Sequence, residues 1–279
     1  MRMEINADSQ PFGAKLRDVI APVAETHFLI ENGVKGYKID GVRQTVIDRL
    51  SIPYELGTCL ALMGPNACGK STLVRAIVGV DQLDSGRIGL SLNSRDKLGV
   101  MFQNFLKEPD EQLLSDASVR QNLLIPVDGG RDEGFDPAQI LESCTEVFDR
   151  LGYTIGLDRQ VKTLSGGQKQ VVVLARSMAY GSNVLIWDEP TSAIDPRKKR
   201  SLYKLMAERR KRAPVSFVLV THDLDEAIIL GDRIIHFDSA MRVLCDVAVQ
   251  HPDRWAEPEF LETDEAIQIR RTVRAAMLG

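Results

Sequence analysis

A glycine-rich stretch constrains the fold of this chain most strongly. Residues 64–72, GPNACGKST, follow the apolar run TCLALM of residues 58–63 and fit the pattern G-x-x-x-x-G-K-[ST]. The residues that follow place apolar side chains at helical spacing, namely Leu73, Ala76, Ile77 and Val80. The order strand, loop, helix is the context that this motif needs, so we predict a phosphate-binding loop in an α/β fold.

The residue types in this loop indicate which ligand it binds. Glycines allow successive backbone N–H groups to turn toward an anion, and the N-terminus of the following helix adds partial positive charge. We expect Lys70 to reach the β- and γ-phosphates, Ser71 to bind Mg²⁺ and Thr72 to contact an α-phosphate oxygen. The alternative is a chance glycine turn before a helix. The residues predicted to surround the nucleotide here are Gly64, Pro65, Asn66, Ala67, Cys68, Gly69, Lys70, Ser71 and Thr72.

Two acids at the end of a second apolar run form the next signal. In NVLIWDEP the apolar residues 184–187 end in Asp188 and Glu189. A buried strand that ends in acids at the carboxyl edge of the sheet is what a phosphate-binding loop needs nearby. We assign Mg²⁺ binding to Asp188 and the general-base role to Glu189. Taken alone, the two acids could equally be solvated groups in a surface turn.

The stretch LSGGQ at residues 164–168 is the third signal. Ser165 is predicted to be a helix N-cap, and the two glycines after it open an apolar helix. Such a helix start is another site for an anion. Because the chain has one loop of the first kind, this second helix end is expected to serve the nucleotide of another subunit.

Composition and patterning limit the remaining possibilities. The net charge of −4 argues against a general nucleic-acid binder. The spacing of the four cysteines matches neither a zinc pattern nor a disulfide framework, which favours a reducing compartment. The first residues lack the apolar core of a secretory signal, and no apolar run has the length of a membrane span. A role at a membrane would therefore require another chain that crosses it.

Alternating strand-like and helix-like segments predict a largely parallel sheet with helices on its faces. Apolar runs of strand length are HFLI, TCLALM, LGVMF, NVLIW, SFVLV and DRIIHF. The stretch from about 104 to 164 lacks such runs and is expected to be an inserted helical subdomain. We predict an N-terminal extension at 1–25, a main domain at 26–249 and a helical tail at 250–279.

These motifs occur in the order typical of ATP-binding cassette (ABC) ATPases, and the resemblance spans roughly Phe28 to Phe237. The residues and motifs that carry it are Tyr37, 64–72, Gln103, 164–168, Asp188, Glu189, the SAID stretch and His222. The resemblance implies a P-loop fold with a parallel-sheet core, a small antiparallel β-subdomain and an inserted helical subdomain. It also implies a head-to-tail dimer, expected here to be a homodimer, with two ATP molecules sandwiched between the subunits.

The resemblance also implies catalytic roles for individual residues. Gln103, in VMFQN, would contact Mg²⁺ and the attacking water. His222, in VTHD, would contact the γ-phosphate and position water near Glu189. Without the resemblance, a lone Gln or His after a strand would more often be structural.

Further residues would bind the nucleotide or the second subunit. Tyr37 would stack on adenine, unless it is simply a packed or surface tyrosine. Asp195 would hold the dimer interface. The residues that would contact the facing subunit's ATP are Ser165, Gly166, Gly167 and Gln168.

Two residues of the phosphate-binding loop depart from the pattern of similar proteins. Ala67 stands where glycine is common, so its methyl group is tolerable if φ is negative and costly otherwise. Cys68 stands where serine or alanine is frequent. It is either a small filler or an oxidisable thiol whose modification blocks ATP binding.

The resemblance leaves two functions to compare. In the first, the chain is the ATP-hydrolysing subunit of an importer or exporter, bound peripherally to transmembrane permease subunits at the cytoplasmic face of the membrane. The segment after Gln103 lies where similar proteins meet that partner. The stretch DEQLL at 110–114 resembles importer ATPases. The tail resembles that of importer ATPases for nitrate, sulfonate and taurine. An importer would also work with a substrate-binding protein.

The alternative is a DNA-repair, chromosome or translation ATPase. Long coiled coils and a second cassette, which such proteins carry, do not occur in the sequence.

Overall fold

The computed structural model describes residues 28–89, 97–102, 112–128, 135–250 and 258–278. The predicted roles of Gln103 and of residues 104–111, and the N-terminal extension, lie outside the described residues. The strands are β1 (Phe28–Ile39), β2 (Val42–Pro53), β3 (Cys59–Met63), β4 (Ser85–Ile88), β5 (Leu98–Met101), β6 (Val184–Asp188), β7 (Ser216–Val220), β8 (Arg233–Phe237) and β9 (Val243–Ala248). The α-helices are α1 (Lys70–Ile77), α2 (Val119–Asp128), α3 (Pro137–Arg150), α4 (Gly166–Ala179), α5 (Pro196–Arg212), α6 (Leu224–Leu230) and α7 (Asp264–Leu278).

The larger sheet has the strand order β5-β6-β7-β3-β8-β9, and all its pairs are parallel except β8 with β9. The strand β3, which carries the phosphate-binding loop, lies between β7 and β8. Side chains of β3, β6 and β7 are buried along their whole length, as expected for a parallel sheet covered on both faces. The predicted α/β fold with a parallel core is confirmed.

The smaller sheet is antiparallel, with the order β2-β1-β4. Leu29, Ile47 and Ile52 of this sheet share an apolar core with Leu73 and Ile77 of α1 and with one face of the parallel sheet. The hairpin β1–β2 also approaches the phosphate-binding loop, because a Cβ placed on Gly69 would lie 2.8 Å from Cγ1 of Val46. This hairpin therefore fixes one wall of the site.

The opposite face of the parallel sheet is covered by helices of the middle and C-terminal parts of the chain. Phe148 of α3, Leu174 of α4 and Leu202 of α5 share one core with Trp187 and Phe217 of the sheet. The helix α7 packs on α6 and on the sheet through Ala266, Ile269 and Val273. The helix α7 lies within residues 250–279, where the sequence predicts a helical tail.

A side-chain clamp lies where the chain enters and leaves residues 103–111. Oε1 of Gln112 accepts a hydrogen bond from N of Phe102 at 3.0 Å, and Nε2 of Gln112 donates to O of Phe102 at 2.9 Å. Nη2 of Arg176, on α4, donates to O of Gln112 at 2.6 Å. The end of β5 is therefore connected to the helix that follows the LSGGQ stretch.

Among the helices in the described parts of the chain, none combines the length and the apolar character that crossing a membrane requires.

Candidate functional site

The phosphate-binding loop connects β3 to α1 and depends on two glycines with positive φ. Gly64 has φ 156° and Gly69 has φ 122°. Gly69 is the N-cap of α1, and no side chain caps this helix. A glycine N-cap offers no side-chain acceptor of its own to the first turn of α1, where an anion would bind.

Lys70 is buried at the start of α1, and its ammonium group is held inside the loop. Its Nζ donates to O of Gly64 and to O of Pro65, both at 2.8 Å. Backbone carbonyls are neutral acceptors, so a phosphate oxygen would make a stronger, charge-assisted partner for the same group.

The two unusual residues of the loop differ in their surroundings. Ala67 is exposed and has φ 61°, in the left-handed region that favours glycine. This is the costly case for a methyl group at that position. Cys68 is buried, and its Sγ lies 3.9 Å from Nζ of Lys70.

Ser71, at the start of α1, and Asp188, at the end of β6, are brought together at the carboxyl edge of the sheet. Oγ of Ser71 donates to Oδ2 of Asp188 at 2.8 Å. Asp188 is buried, and burial raises the pKa of its carboxyl to about 6; the Ser71 hydroxyl lowers it and the neighbouring Glu189 raises it. Within the described residues its Oδ1 is buried without a hydrogen-bond partner. A hydroxyl and a carboxylate with an open oxygen match the donors that Mg²⁺ prefers beside phosphate, so these residues fit the ion.

Glu189 and His222 face each other at the same edge of the sheet. Nε2 of His222 lies 2.7 Å from Oε1 of Glu189, although the two groups are not aligned as a hydrogen bond. Burial, followed by the charge of Lys70, lowers the pKa of His222, while the charge of Glu189 acts in the opposite direction. Glu189 has φ 54°, a left-handed conformation that is unusual for a non-glycine residue and typical of constrained functional positions.

Tyr37 lies on β1 beside the start of α1. Its hydroxyl donates to Oδ2 of Asp81 at 2.7 Å and also interacts with Thr72. Nε of Arg75 lies 3.0 Å from the same carboxylate oxygen of Asp81, and Nζ of Lys35 stands 5.1 Å from the centre of the tyrosine ring. These contacts hold the half-buried ring next to the phosphate-binding loop.

The LSGGQ stretch forms the predicted helix start. Ser165 is the N-cap of α4: its Oγ accepts from N of Gln168 at 3.3 Å, and Oε1 of Gln168 accepts from N of Ser165 at 3.0 Å. This reciprocal capping box confirms the expected cap. Gly167 packs so closely that a Cβ on it would lie 2.7 Å from O of Ala193.

Gln170 is a residue that the motifs alone did not identify. Its Nε2 donates at 3.0 Å to both O of Glu189 and Oγ of Ser192, and its Oε1 accepts from N of Ala193 at 2.7 Å. The signal in the sequence was a polar side chain inside the apolar run KQVVVLA, where burial demands partners. Through Gln170, α4 holds the segment that follows Glu189. Asp195 ends that segment as the N-cap of α5, accepting from N of Arg197 at 2.8 Å.

The predicted site residues that the structure describes thus form two groups. The first contains residues 64–72 with Tyr37, Asp188, Glu189 and His222. The second contains residues 165–168 with the SAID stretch, joined to the first by Gln170. Both groups depend on helix N-termini, the arrangement expected for two phosphate-binding surfaces.

Comparison with known proteins agrees with these observations. The family model described as "ABC transporter" matches residues 47–192. The methionine import ATP-binding protein MetN of Carboxydothermus hydrogenoformans is 31% identical over 205 residues, which are 69% of this chain and 58% of that relative. The energy-coupling factor transporter ATP-binding protein EcfA1 of Mesomycoplasma hyopneumoniae is 32% identical over 203 residues, 70% of this chain and 71% of that relative.

The chain spans 58% and 63% of the length of the MetN proteins of Carboxydothermus hydrogenoformans and Haemophilus influenzae. Among solved structures, the dimeric structure of MJ0796, a bacterial ABC transporter cassette, matches with a TM-score of 0.69 at 23% identity. This match covers 80% of this chain and 99% of that one and supports the fold. With the family model covering residues 47–192, more than half of the chain, the protein belongs to the ABC transporter family.

Proposed function

We propose that this chain is the ATP-hydrolysing subunit of a transporter and that two copies close head to tail around two ATP molecules. The observation that carries the proposal is the meeting of Ser71 with Asp188 at 2.8 Å beside the phosphate-binding loop. Glu189 and His222, 2.7 Å apart at the same edge of the sheet, supply the groups that hydrolysis requires.

Lys70 and the N-terminus of α1 hold the phosphates. In the proposed complex, Nζ of Lys70 exchanges its two carbonyl acceptors, Gly64 and Pro65, for phosphate oxygens. Ser71 and Asp188 hold Mg²⁺, with Gln103 as a further ligand. When bound, the ion neutralises charge on the phosphate oxygens. Tyr37 stacks on the adenine ring.

Glu189 acts as the general base. Its carboxylate takes a proton from a water molecule whose oxygen forms a bond to the γ-phosphorus, while the bond from that phosphorus to the β–γ bridging oxygen breaks. The products are ADP and phosphate. Burial lowers the pKa of His222 and so favours its neutral ring, which donates one N–H to the water or to the γ-phosphate.

The capped start of α4 provides the surface for the partner's nucleotide. The capping box uses Oγ of Ser165 as an acceptor, so its O–H remains a donor for a phosphate oxygen. The N–H groups of Gly166 and Gly167 lie in the same first turn. Because Gln170 joins this turn to Ala193 and Glu189, closure of the dimer acts directly on the segment beside the general base.

The names of the relatives support a proposal for the partners. MetN and the sulfate/thiosulfate protein CysA 2 of Chromobacterium violaceum are import ATP-binding proteins. By analogy we propose import, with transmembrane permease subunits as partners, a substrate-binding protein on the other side of the membrane and a peripheral position at the cytoplasmic face.

The oligomeric state of Glu189→Gln with Mg-ATP tests the proposal. We expect light scattering to show a dimer that forms only with ATP, and we expect hydrolysis to be lost. Glu55→Gln is the matched control, because it makes the same change at an exposed residue just before β3, at the amino edge of the sheet. A monomeric Glu189→Gln variant that hydrolyses ATP at the wild-type rate would contradict the assignment.

A further inference from the structure

Glu226 is a buried acid to which none of the sequence motifs gives a role. It lies in the first turn of α6 and is 1% exposed. Its Oε2 accepts a hydrogen bond from Oγ1 of Thr221, whereas its Oε1 is buried without an aligned partner among the described residues. Burying a carboxyl group is costly, so its retention points to a task that an apolar side chain would not perform.

Thr221 links Glu226 to His222. The Thr221 hydroxyl donates to Glu226 and accepts from N of Asp223 at 3.0 Å. These two contacts bracket His222, the residue between Thr221 and Asp223. The Thr221 hydroxyl therefore connects the residues on either side of His222, and Glu226 accepts the proton of that hydroxyl.

Thr191 links Glu226 to Glu189. The buried side chain of Thr191 also interacts with the Glu226 carboxyl and lies two residues after Glu189 along the chain. One carboxyl thus contacts the segments that carry both members of the Glu189–His222 pair. A displacement of this carboxyl would change the spacing between them.

We propose that Glu226 is a positioning residue that sets the separation of Glu189 and His222 during ATP hydrolysis. The inference rests on the roles proposed above for these two residues. In this arrangement one oxygen of the protonated carboxyl accepts a hydrogen bond from the Thr221 hydroxyl, and the same carboxyl interacts with the side chain of Thr191.

The surroundings of Glu226 favour this protonated form. Burial raises the pKa of Glu226 to about 7, against the opposing effects of the two threonines and the ammonium group of Lys199. The nearby Asp223 raises it, and Tyr203 of α5 faces the same group. Lys199 is itself paired with Asp223 at 2.8 Å, which limits its effect on Glu226.

Steady-state kinetics of Glu226→Ala, Glu226→Gln and Thr221→Val in the full chain test the proposal. We expect Glu226→Ala and Thr221→Val each to lower kcat about tenfold while the KM for ATP changes less than about twofold, because catalytic geometry and not binding is lost. Glu226→Gln, which keeps an acceptor and a donor without charge, should restore most of the loss of Glu226→Ala. The double variant Glu226→Ala/Thr221→Val should lose no more than the stronger single variant.

A purely structural role makes a different prediction. It would lower the melting temperature of Glu226→Ala while kcat per folded molecule stayed at the wild-type value, and that result overturns the proposal. If Glu226→Ala does not fold, Thr221→Val decides: a folded Thr221→Val variant with wild-type kcat also overturns it. Glu189→Gln serves as a separate control, since residual hydrolysis there would contradict the proposed base whatever the Glu226 variants do.

Discussion

Gly167 and Ala193 pack backbone against backbone: a Cβ on Gly167 would stand 2.7 Å from the carbonyl oxygen of Ala193, closer than such atoms approach. A carbonyl in the protein backbone cannot move as a side chain can. The start of α4 and the segment after Glu189 must therefore separate if the glycine acquires any side chain.

The first prediction concerns this contact. Gly167→Ala should lower hydrolysis by at least about tenfold and weaken ATP-dependent dimerisation, because the clash displaces the segment beside Glu189, the proposed general base. Gly156→Ala is the control, since the new Cβ would meet only the flexible side chain of Arg159 at 3.5 Å and 3.7 Å. Hydrolysis rates and light scattering measure both variants. Equal activity in the two variants would contradict the prediction, because it would show that the backbone at Gly167 and Ala193 can separate without loss of hydrolysis.

The second prediction concerns the phosphate-binding loop. Ala67→Gly should raise the free energy of unfolding by about 0.5–1 kcal/mol, because relief of the left-handed φ of 61° exceeds the entropy cost of glycine. Ala213→Gly is the matched control: this alanine is also exposed, but its φ is −156°, so the same change should destabilise. Urea unfolding gives both values. The same sign in both variants would contradict the argument.

The third prediction concerns Tyr37. Tyr37→Ala should weaken ATP binding about tenfold or more, because a stacked base contributes ~1–3 kcal/mol. Tyr37→Phe keeps the ring and loses only the hydroxyl contacts with Asp81 and Thr72, so its affinity should stay within about threefold of wild type. Titration with a fluorescent ATP analogue measures both variants. Equal losses would assign the effect to the hydroxyl and exclude stacking.

The fourth prediction concerns pH. The pKa of Glu226 is raised from 4.5 to about 7, so between these values the folded chain keeps a proton that the unfolded chain has released. This contribution to stability is present below pH 4.5 and is lost as the pH rises toward 7. Glu226→Gln has no such proton, so its free energy of unfolding should improve relative to wild type from pH 5.5 to pH 8. Urea unfolding at both values tests this, and a difference that does not change with pH would refute it.

The elements that the sequence predicted well are those in which a continuous apolar run becomes a buried strand. Strands such as Ser216–Val220 are continuous apolar runs, and they form the buried core. The motif residues lie where strands end or helices begin, so Ser71 and Asp188 meet as soon as β3 and β6 take their places in one sheet.

The parts that were not predicted have no continuous apolar run that matches their burial. The strand β2 (Val42–Pro53) is mostly exposed, and register shifts interrupt its pairing with β1. One of its residues, Arg49, has a left-handed φ although it is not a glycine. Gln170 and Glu226 are buried polar residues of helices, and their partners Glu189 and Thr191 come from another segment of the chain. Hydrogen bonds between separate segments leave no periodic pattern in a sequence, so these contacts are visible only in the folded chain.

The clamp of Gln112 on Phe102 has a consequence for how transporters of this kind diversify. Phe102 and Gln112, which flank residues 103–111, are joined by two N–H···O hydrogen bonds of opposite direction. Residues between them can therefore be exchanged, added or deleted without altering β5 before them or α2 after them. If this segment meets the permease, as the resemblance to ABC ATPases leads us to propose, partner preference can change over generations while the residues proposed to hydrolyse ATP stay the same. Substituting Gln112 would remove both hydrogen bonds to Phe102, so that changes in residues 103–111 or in a bound partner would alter the end of β5.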